Sequence, residues 1–417
     1  MKLLHIIGSM DPAQGGPCQG IRNTNPGLME HGISREVVSL DGPESSFLGM
    51  DDFPIHALGP AVGPWQYSDK LRPWLLNNMG RFDNIIINGL WLYSSYAGWS
   101  VWRTLQKQNK KAEGQHHLPK LYVMPHGMLD PYFQNAPDRK LKALRNWFYW
   151  KLVESRVVND ADGLLFTCQM ELELARQTFS PYRPKQEINV GYGIVEPPQY
   201  NPNMKFAFLN TCKKLKEQPF ILFLSRIHRK KGVDLLVNAY LRLLEAANDT
   251  GKSLPALVIA GPGLNTAYGK GILKAVNNSD LLKEHVYFPG MLKGDAKWGA
   301  LYTCEAFVLP SHQENFGIAV VEALACAKPV LITNEINIWK EIEEGAGGIV
   351  VNDDQEDINS QFKIWIETTE NDKENMRLNA REVYKKCFTV ERSVKELVKI
   401  LGNNELGIAA VHSKEKA

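Results

Sequence analysis

Two glutamates with seven residues between them, Glu314 and Glu322, are the most informative chemical feature of the sequence. Glu314 is predicted to lie in a loop after an apolar strand, and Glu322 about one and a half turns into a helix over 317–326. The stretch between them, Phe316 to Ile318, would supply free backbone N–H groups at the helix start. Carboxylates bind sugar hydroxyls, and a helix N-terminus binds phosphate oxygens. The pattern therefore indicates a site for a sugar that carries a diphosphate.

A basic loop follows the predicted strand 219–224 and contains Arg226 and Lys231. Arginine offers a planar fork to phosphate oxygens, and lysine offers a point charge. At the carboxyl edge of a strand, both would neutralise a departing diphosphate. Arg229 and Lys230 of the same loop are interpreted as solvated charges. A wholly solvated basic loop is the alternative, and the glutamate pair makes it the less favoured one.

Two loops of the first half could also approach a ligand. Gly15 and Gly16 follow the predicted strand 3–7, and paired glycines allow a backbone to pass close to a ligand. His126 follows the predicted strand 120–124, where it could bond a sugar hydroxyl or orient the reacting centre. The alternatives are an ordinary turn for the glycines and a histidine bonded to its own loop.

The bulk properties describe an ordinary soluble protein. The chain has 417 residues, enough for two domains, with 44% hydrophobic and 23% charged residues. A net charge of +2 argues against nucleic acid as the main partner. The six cysteines are scattered without metal-binding spacing, so we interpret them as reduced thiols of a cytosolic protein. The N-terminal apolar run is predicted to be a buried strand rather than a secretory signal.

The elements that must position these residues follow an alternating pattern. Short apolar strands alternate with helical patterns in both halves, which predicts an α/β protein with two doubly wound parallel-sheet domains. The predicted domains are 1–198 and 199–389, then a helix over 390–405 that crosses back to the first domain, and a disordered tail over 406–417. Ligands of such sheets sit at the carboxyl ends of the strands, so we expect them in a cleft between the domains. The predicted strands are 3–7, 36–40, 84–88, 120–124, 163–167, 187–190, 219–224, 256–260, 285–288, 306–309, 329–333 and 348–351.

Two further motifs each have two interpretations. Asp160 and Asp162 have the spacing of a metal-binding DxD motif, but their position between a helix and a strand favours turn chemistry, and we predict no essential metal. The segment 137–151 is a basic, aromatic-rich helix that could meet a membrane surface or a lipid-linked acceptor. From the sequence we favour the alternative, a packed helix with a solvated basic face, because such motif matches are often false.

Taken in order, these stretches resemble retaining glycosyltransferases of family 4. The resemblance covers nearly the whole chain, and it implies the GT-B fold, in which two Rossmann-like domains face a central cleft. A finer similarity is to bacterial enzymes that build exported polysaccharides. The stretches are Gly15-Gly16, MPHGMLDP at 124–131, GLLFTCQMEL at 163–172, GYGI at 191–194, SRIHRKKG at 225–232, LVIAGPG at 257–263, VYFPG at 286–290 and the pair Glu314 and Glu322.

The resemblance implies how the nucleotide would be bound. Arg226 and Lys231 would hold the diphosphate, Glu322 would bind the ribose hydroxyls, and the base would lie near Met291. One departure concerns the end of the helix that contains Glu322. The family usually has glycine where this chain has Ala327, and alanine adopts the left-handed conformation at a cost of about 1 kcal/mol.

The resemblance also implies how the sugar would be bound. His126 would touch it near the anomeric centre, and Gly16 would let the first loop approach the donor. Glu314 would bind the sugar together with nearby backbone groups. Those groups belong to Asn315, Phe316, Gly317 and Ile318.

The implied activity is metal-independent hexosyl transfer with retention, without a cofactor. The donor would be UDP-glucose or a similar UDP-hexose, and the acceptor a hydroxyl of a carbohydrate or lipid-linked sugar in polysaccharide or glycolipid biosynthesis. The place would be the cytoplasm, at the inner face of the membrane if the segment 137–151 meets it. The alternatives are a nucleotide-sugar epimerase of the same fold, a non-catalytic sugar-nucleotide-binding subunit and a membrane scaffold.

Overall fold

The computed structural model describes residues 1–112, 117–136, 139–250 and 253–402. They form two units. The first comprises Met1–Gly193 and the segment that starts at Val390, and the second comprises Ile194–Thr389. The predicted tail over 406–417 lies outside the described residues, as do 137–138 and the last three positions of the predicted C-terminal helix.

The first unit is built on a seven-stranded parallel sheet in the order β3-β2-β1-β4-β5-β6-β7. Its strands are β1 (Lys2–Ile6), β2 (Ser34–Ser39), β3 (Ile55–Ala57), β4 (Asn84–Asn88), β5 (Lys120–Met124), β6 (Gly163–Phe166) and β7 (Glu187–Asn189). Its first helices are α1 (Gly16–Glu30), α2 (Leu71–Asn78), α3 (Tyr93–Lys111), α4 (Tyr132–Asn135), α5 (Lys140–Tyr149), α6 (Ser155–Asp160) and α7 (Gln169–Thr178). A π-helical turn, Trp150–Glu154, joins α5 to α6.

Helices cover both faces of this sheet because successive strand residues point to opposite sides. Leu4 and Ile6 pack in one apolar cluster with residues of α2 and α3. Leu3 packs in another, with Leu28 of α1. The central strand β4 is buried along its whole length. A near-continuous apolar strand is therefore the expected sequence of such a sheet.

The second unit is built on a six-stranded parallel sheet in the order β10-β9-β8-β11-β12-β13. Its strands are β8 (Phe220–Leu224), β9 (Ala256–Ala260), β10 (Val286–Gly290), β11 (Ala306–Leu309), β12 (Val330–Thr333) and β13 (Gly348–Val351). Its helices are α8 (Pro202–Thr211), α9 (Val233–Thr250), α10 (Ala267–Asn277), α11 (Asp280–His285), α12 (Gly294–Thr303), α13 (Ile318–Ala325), α14 (Trp339–Glu344), α15 (Gln355–Glu367) and α16 (Glu370–Cys387).

The last helix, α17 (Val390–Gly402), belongs to the first unit and packs against α1. Its side chains Val394, Leu397 and Leu401 are buried in the same cluster as Leu3 and Leu28. The chain thus leaves the first unit at Gly193 and returns to it at Val390. Within the described residues, no helix is both long and apolar enough to cross a bilayer.

Candidate active site

Two neighbouring strands bring the predicted phosphate-binding loop and the glutamate motif together. Strands β8 and β11 are parallel partners, with Ala306 opposite Ile221 and Phe307 opposite Leu222. Because both run in the same direction, the loops that follow them leave the sheet at the same edge. Residues far apart in the sequence therefore meet there.

Lys231 and Glu314 form an ion pair across these two loops. Lys231 is buried, while the Glu314 side chain remains about one-quarter exposed. A buried ammonium needs such a partner because desolvation of an unpaired charge is strongly unfavourable. The structure thus joins two of the predicted site residues, with the glutamate as the more accessible of the two.

A close backbone contact fixes the loop of Lys231. Gly232 has a φ of 63°, and a Cβ atom built on it would lie 1.9 Å from the carbonyl oxygen of Pro310. The amide of His312 and the hydroxyl of Ser311 both donate to the carbonyl oxygen of Lys230, at 2.9 and 3.0 Å. The two loops are therefore packed together at a position that only glycine can occupy.

His312 adds a second ionic contact beside these loops. Its Nδ1 lies 2.7 Å from a carboxylate oxygen of Asp353, which follows β13. The hydrogen bond to Asp353 raises the pKa of His312 above its usual value. This pair ties the loop after β11 to the loop after β13, two strands away in the sheet, and no spacing in the sequence predicts it.

The start of α13 offers backbone donors. Gly317 precedes the helix with a φ of 78°, and no side chain caps it. The amides of Val320 and Val321 donate to the Gly317 carbonyl oxygen at 2.9 and 3.2 Å. Within the described structure, the amides of Ile318 and Ala319 have no acceptor, so they can receive an anionic oxygen.

Glu322 lies on α13, and its carboxylate is held by a lysine that sequence reasoning missed. Lys297 of α12 donates to it at 2.6 Å, and the Lys297 ammonium lies 4.3 Å from the ring centroid of Trp298. No spacing in the sequence relates Lys297 to Glu322, because the contact joins two separate helices. Met291, the predicted neighbour of the base, is exposed just after β10.

The remaining candidates of the second unit differ in exposure. Arg226 is exposed at the end of β8, and its guanidinium makes no ion pair or hydrogen bond with any residue that the structure describes. It is therefore available to an external anion. Phe316 is buried and packs edge-on against Phe388, with 5.6 Å between ring centroids. Asn315 lies between Glu314 and Phe316, so the segment 315–318 joins the glutamate to the helix start.

His126 follows β5 in the first unit and has a backbone φ of 53°. Its Nε2 lies 3.1 Å from Oδ1 of Asn88, the last residue of the neighbouring strand β4. Burial lowers the pKa of His126 to about 4, so the ring is neutral at physiological pH. Asn88 was missed by the sequence analysis.

The loop of His126 is anchored by another residue that was missed, Glu171. Its carboxylate accepts a hydrogen bond from the Gly127 amide. It also accepts from the amide and the hydroxyl of Thr167, at 2.8 and 2.5 Å. The left-handed conformation of His126 is thus supported by a buried carboxylate. Gly16, the other candidate of this unit, begins α1, and its carbonyl oxygen accepts from the hydroxyl of Tyr192 at 2.5 Å.

Asp160 and Asp162 are engaged in structural contacts. Asp160 accepts from the indole of Trp99 at 2.9 Å, and Asp162 accepts from the Leu121 amide at 3.0 Å. Asp162 also pairs with Lys185 at 2.9 Å. Among the residues that the structure describes, no cluster of three metal-ligating side chains occurs.

The segment 137–151, for which we favoured a packed helix, is packed at its end and exposed along most of α5. Only Asn146 of α5 is buried. Trp150 is fully buried and stacks on Phe179, with 4.7 Å between ring centroids, whereas the apolar side chains along and just after α5 are solvent-exposed. They are Leu141 (86% exposed), Leu144 (55%), Trp147 (48%), Phe148 (53%) and, in the π-helical turn, Leu152 (66%).

Comparisons with known proteins agree with this description. Residues 209–383 match the family model of glycosyl transferases group 1. An uncharacterized glycosyltransferase of Methanocaldococcus jannaschii is 27% identical over 172 residues, which are 40% of this chain and 42% of that protein. A D-inositol 3-phosphate glycosyltransferase of Nocardia farcinica is 25% identical over 204 residues, which are 48% of this chain and 43% of that protein. The chain thus matches less than half the length of these relatives.

A solved structure of Anabaena HepE in complex with UDP is similar over 97% of this chain and 100% of its own, with a TM-score of 0.71 and 17% identity. HepE has also been solved in complex with UDP-glucose. At this level of identity the likeness concerns the fold. The fold is therefore GT-B, with two Rossmann-like parallel-sheet units, and the match to the glycosyl transferases group 1 family model lies within the second unit.

Proposed function

We propose that this protein is a retaining glycosyltransferase of family 4 that moves a hexose from a nucleotide-diphosphate sugar to an acceptor hydroxyl. The main observation in support is that Lys231, Glu314 and the uncapped start of α13 lie together at one edge of the sheet. A cation, a carboxylate and open backbone amides are the groups that a sugar diphosphate requires. We propose UDP-glucose or a similar UDP-hexose as the donor, and the UDP-glucose complex of HepE favours that choice.

The chemistry follows from the charges that develop. Loss of the diphosphate leaves an oxocarbenium-like sugar and a negative leaving group. Arg226, Lys231 and the amides at the start of α13 would stabilise the leaving group. The acceptor hydroxyl would attack from the same face, and a diphosphate oxygen would take its proton, so that the anomeric configuration is retained. Because the diphosphate charge is met by side chains and amides, we propose that no metal ion is needed.

A donor panel tests this proposal. UDP- and GDP-sugars are each incubated with the protein, with and without sugar and lipid-linked acceptors, and released nucleotide diphosphate is measured. We expect release from one UDP-hexose, increased by an acceptor and unchanged by EDTA. Conversion of the donor sugar without release would indicate an epimerase, and binding without any turnover would indicate a non-catalytic subunit.

We further propose that α5 contacts an anionic membrane at the cytoplasmic face, where the acceptor for polysaccharide or glycolipid synthesis would be found. Exposed Leu141, Leu144 and Phe148 lie three and four residues apart and so share one side of the helix. Lysines and arginines accompany them, and there is no acidic residue from 139 to 153. Such a helix binds the membrane interface through apolar burial and attraction to anionic lipids.

Vesicle co-sedimentation tests the membrane contact. We expect the protein to bind vesicles that contain phosphatidylglycerol, and a variant with Leu141, Leu144 and Phe148 all changed to Ser to lose that binding. Leu378→Ser is the matched control, because Leu378 is also an exposed leucine on a helix. Equal binding by all three proteins would reject the role of α5.

A further inference from the structure

Three polar side chains form a hydrogen-bonded chain on one face of the first sheet. His126 Nε2 lies 3.1 Å from Asn88 Oδ1, and Asn88 Nδ2 lies 3.1 Å from His5 Nδ1. His5 and Asn88 belong to the neighbouring strands β1 and β4, and His126 follows β5. This arrangement links the loop histidine to the interior of the unit.

The orientation of the Asn88 amide is determined by a backbone group. Its Nδ2 also donates to the carbonyl oxygen of Ile86, at 3.2 Å. A carbonyl oxygen accepts only, so the amide nitrogen of Asn88 must face Ile86, and the amide oxygen must face His126.

The tautomers of both histidines follow from that orientation. Oδ1 of Asn88 is an acceptor, so His126 must bear its hydrogen on Nε2, which leaves a lone pair on Nδ1. Nδ2 of Asn88 is a donor, so His5 must present its Nδ1 lone pair and bear its hydrogen on Nε2. One amide thus selects the tautomer of two imidazoles.

His5 is held neutral by its surroundings. It is buried, and burial together with the charge of Arg35 lowers its pKa well below the usual value. Its Nε2 has no partner among the described residues, and neither does Nε of Arg35. Both line a cavity of about 40 Å³, which is large enough for an ordered water to accept from them. A protonated His5 beside Arg35 would lose its hydrogen bond from Asn88. The hydrogen bonds among His126, Asn88 and His5 are therefore made with both imidazole rings neutral.

We propose that Asn88 and His5 are positioning residues that keep the hydrogen of His126 on Nε2, so that Nδ1 accepts a hydrogen bond from a hydroxyl of the donor sugar. This inference rests on the proposed function for the identity of the ligand. His126 would then recognise a sugar hydroxyl as a donor and would not supply positive charge to the leaving group. A deoxy sugar that lacks this hydroxyl would lose the contact.

The tautomer can be measured without any assay of activity. In ¹⁵N-histidine-labelled full-length protein at pH 7, the signals of His126 are assigned by their loss in His126→Gln. We expect the hydrogen of His126 on Nε2 and a bare Nδ1. We expect His5→Phe, which removes one acceptor of the Asn88 amide, to give a mixture of His126 tautomers. A hydrogen on Nδ1 in the unaltered protein would overturn the proposal, and an unchanged tautomer in His5→Phe would remove His5 from it.

Asn88→Asp tests the consequence for transfer. The new carboxylate still accepts from Nε2, but it stabilises protonated His126 and raises the pKa of that ring. Protonation places a hydrogen on Nδ1, so transfer by this variant should fall as the pH decreases, by about tenfold, which corresponds to one hydrogen bond. Asn84→Asp is the matched control, because Asn84 is buried on the same face of β4 and is not bonded to His126.

The outcomes separate this inference from the proposed function. If no donor is turned over, the proposed function fails while the NMR experiment still decides the tautomer. If transfer occurs and Asn88→Asp has the same pH profile as the unaltered protein, the positioning role is rejected.

Discussion

Arg226 and Lys231 belong to one loop but have opposite surroundings. Arg226 is exposed, whereas Lys231 is buried against Glu314. We therefore expect Arg226→Ala and Lys231→Met both to lower transfer, by about 10²–10³-fold for each lost stabilising group. Only Lys231→Met should lower the free energy of unfolding, by about 1–3 kcal/mol, because it leaves the Glu314 carboxylate without its partner. Nucleotide release and urea unfolding measure the two effects.

Arg229 provides the matched control in the same loop. It is exposed, and we interpret its charge as solvated. Arg229→Ala should leave both transfer and stability near the values of the unaltered protein. Near-normal transfer by Arg226→Ala would reject the role of Arg226 in binding the diphosphate.

At the scale of elements, the end of α13 has an unusual residue. Ala327 has a φ of 55°, and its amide donates to the Leu324 carbonyl oxygen at 2.9 Å. Lys328 donates to Ala323 at 2.9 Å, which completes a Schellman motif. The helix ends as the resemblance implies for glycine, although the residue is alanine.

Ala327→Gly should therefore raise the free energy of unfolding by about 1 kcal/mol, since glycine adopts positive φ without steric strain. Urea denaturation measures it. The same change at Ala275, exposed on α10, should lower stability by about 1 kcal/mol through the lower helix propensity of glycine. If both variants change the free energy of unfolding in the same direction, Ala327 is not strained.

The π-helical turn between α5 and α6 ends at a buried carboxyl group, Glu154. One of its oxygens accepts from the Trp91 amide and the Ser95 hydroxyl, both at 2.7 Å. The other has no partner among the described residues. Burial raises the pKa of Glu154 from 4.5 to about 7.

A raised carboxyl pKa means that the folded state binds the proton more tightly than the unfolded chain does. Stability is therefore lost as the pH rises from 4.5 to about 7. Glu154→Gln has no carboxyl group to titrate, so it does not lose this stability. The free energy of unfolding of Glu154→Gln minus that of the unaltered protein should therefore increase by about 3 kcal/mol from pH 4 to pH 8. Urea unfolding across this range measures it. Glu217→Gln is the exposed control, and a similar trend there would contradict the assignment to Glu154.

At the scale of the whole molecule, α17 completes the first unit. Leu401 is fully buried in the cluster that includes Leu3 and Leu28. Leu401→Ala should lower the stability of the first unit by about 2–5 kcal/mol. Hydrogen exchange should then increase in β1 and β2 and stay unchanged in β8 and β11. Ile364→Ala, at a half-exposed position of α15, should leave hydrogen exchange unchanged in all four strands.

The sequence was sufficient for most of the sheet strands because buried parallel strands are short apolar runs. It missed β3, Ile55–Ala57, which is three residues long and only partly buried. At the site, the contact of Lys231 with Glu314 agrees with the shared sheet edge that was expected from the alternating pattern.

Lys297, Asn88 and Glu171 could not be predicted. Each meets its partner through a contact between elements that are 25, 38 and 44 residues apart, respectively, and no local spacing encodes such contacts. The exposure of the apolar side chains of α5 could not be predicted for a related reason. A basic, aromatic-rich sequence is compatible with a packed or an exposed helix, and only the neighbouring elements decide which.

The return of the chain at Val390 has a consequence for synthesis. The longer part of the first unit ends at Gly193, but the helices that cover its sheet stay incomplete until α17 has left the ribosome. At about 5–20 residues per second, the intervening segment takes on the order of 10–40 s to make. During that interval Leu3, Leu28 and their neighbours lack their final cover. The nascent first unit is then a natural client for a chaperone, although most of it is translated before the second unit.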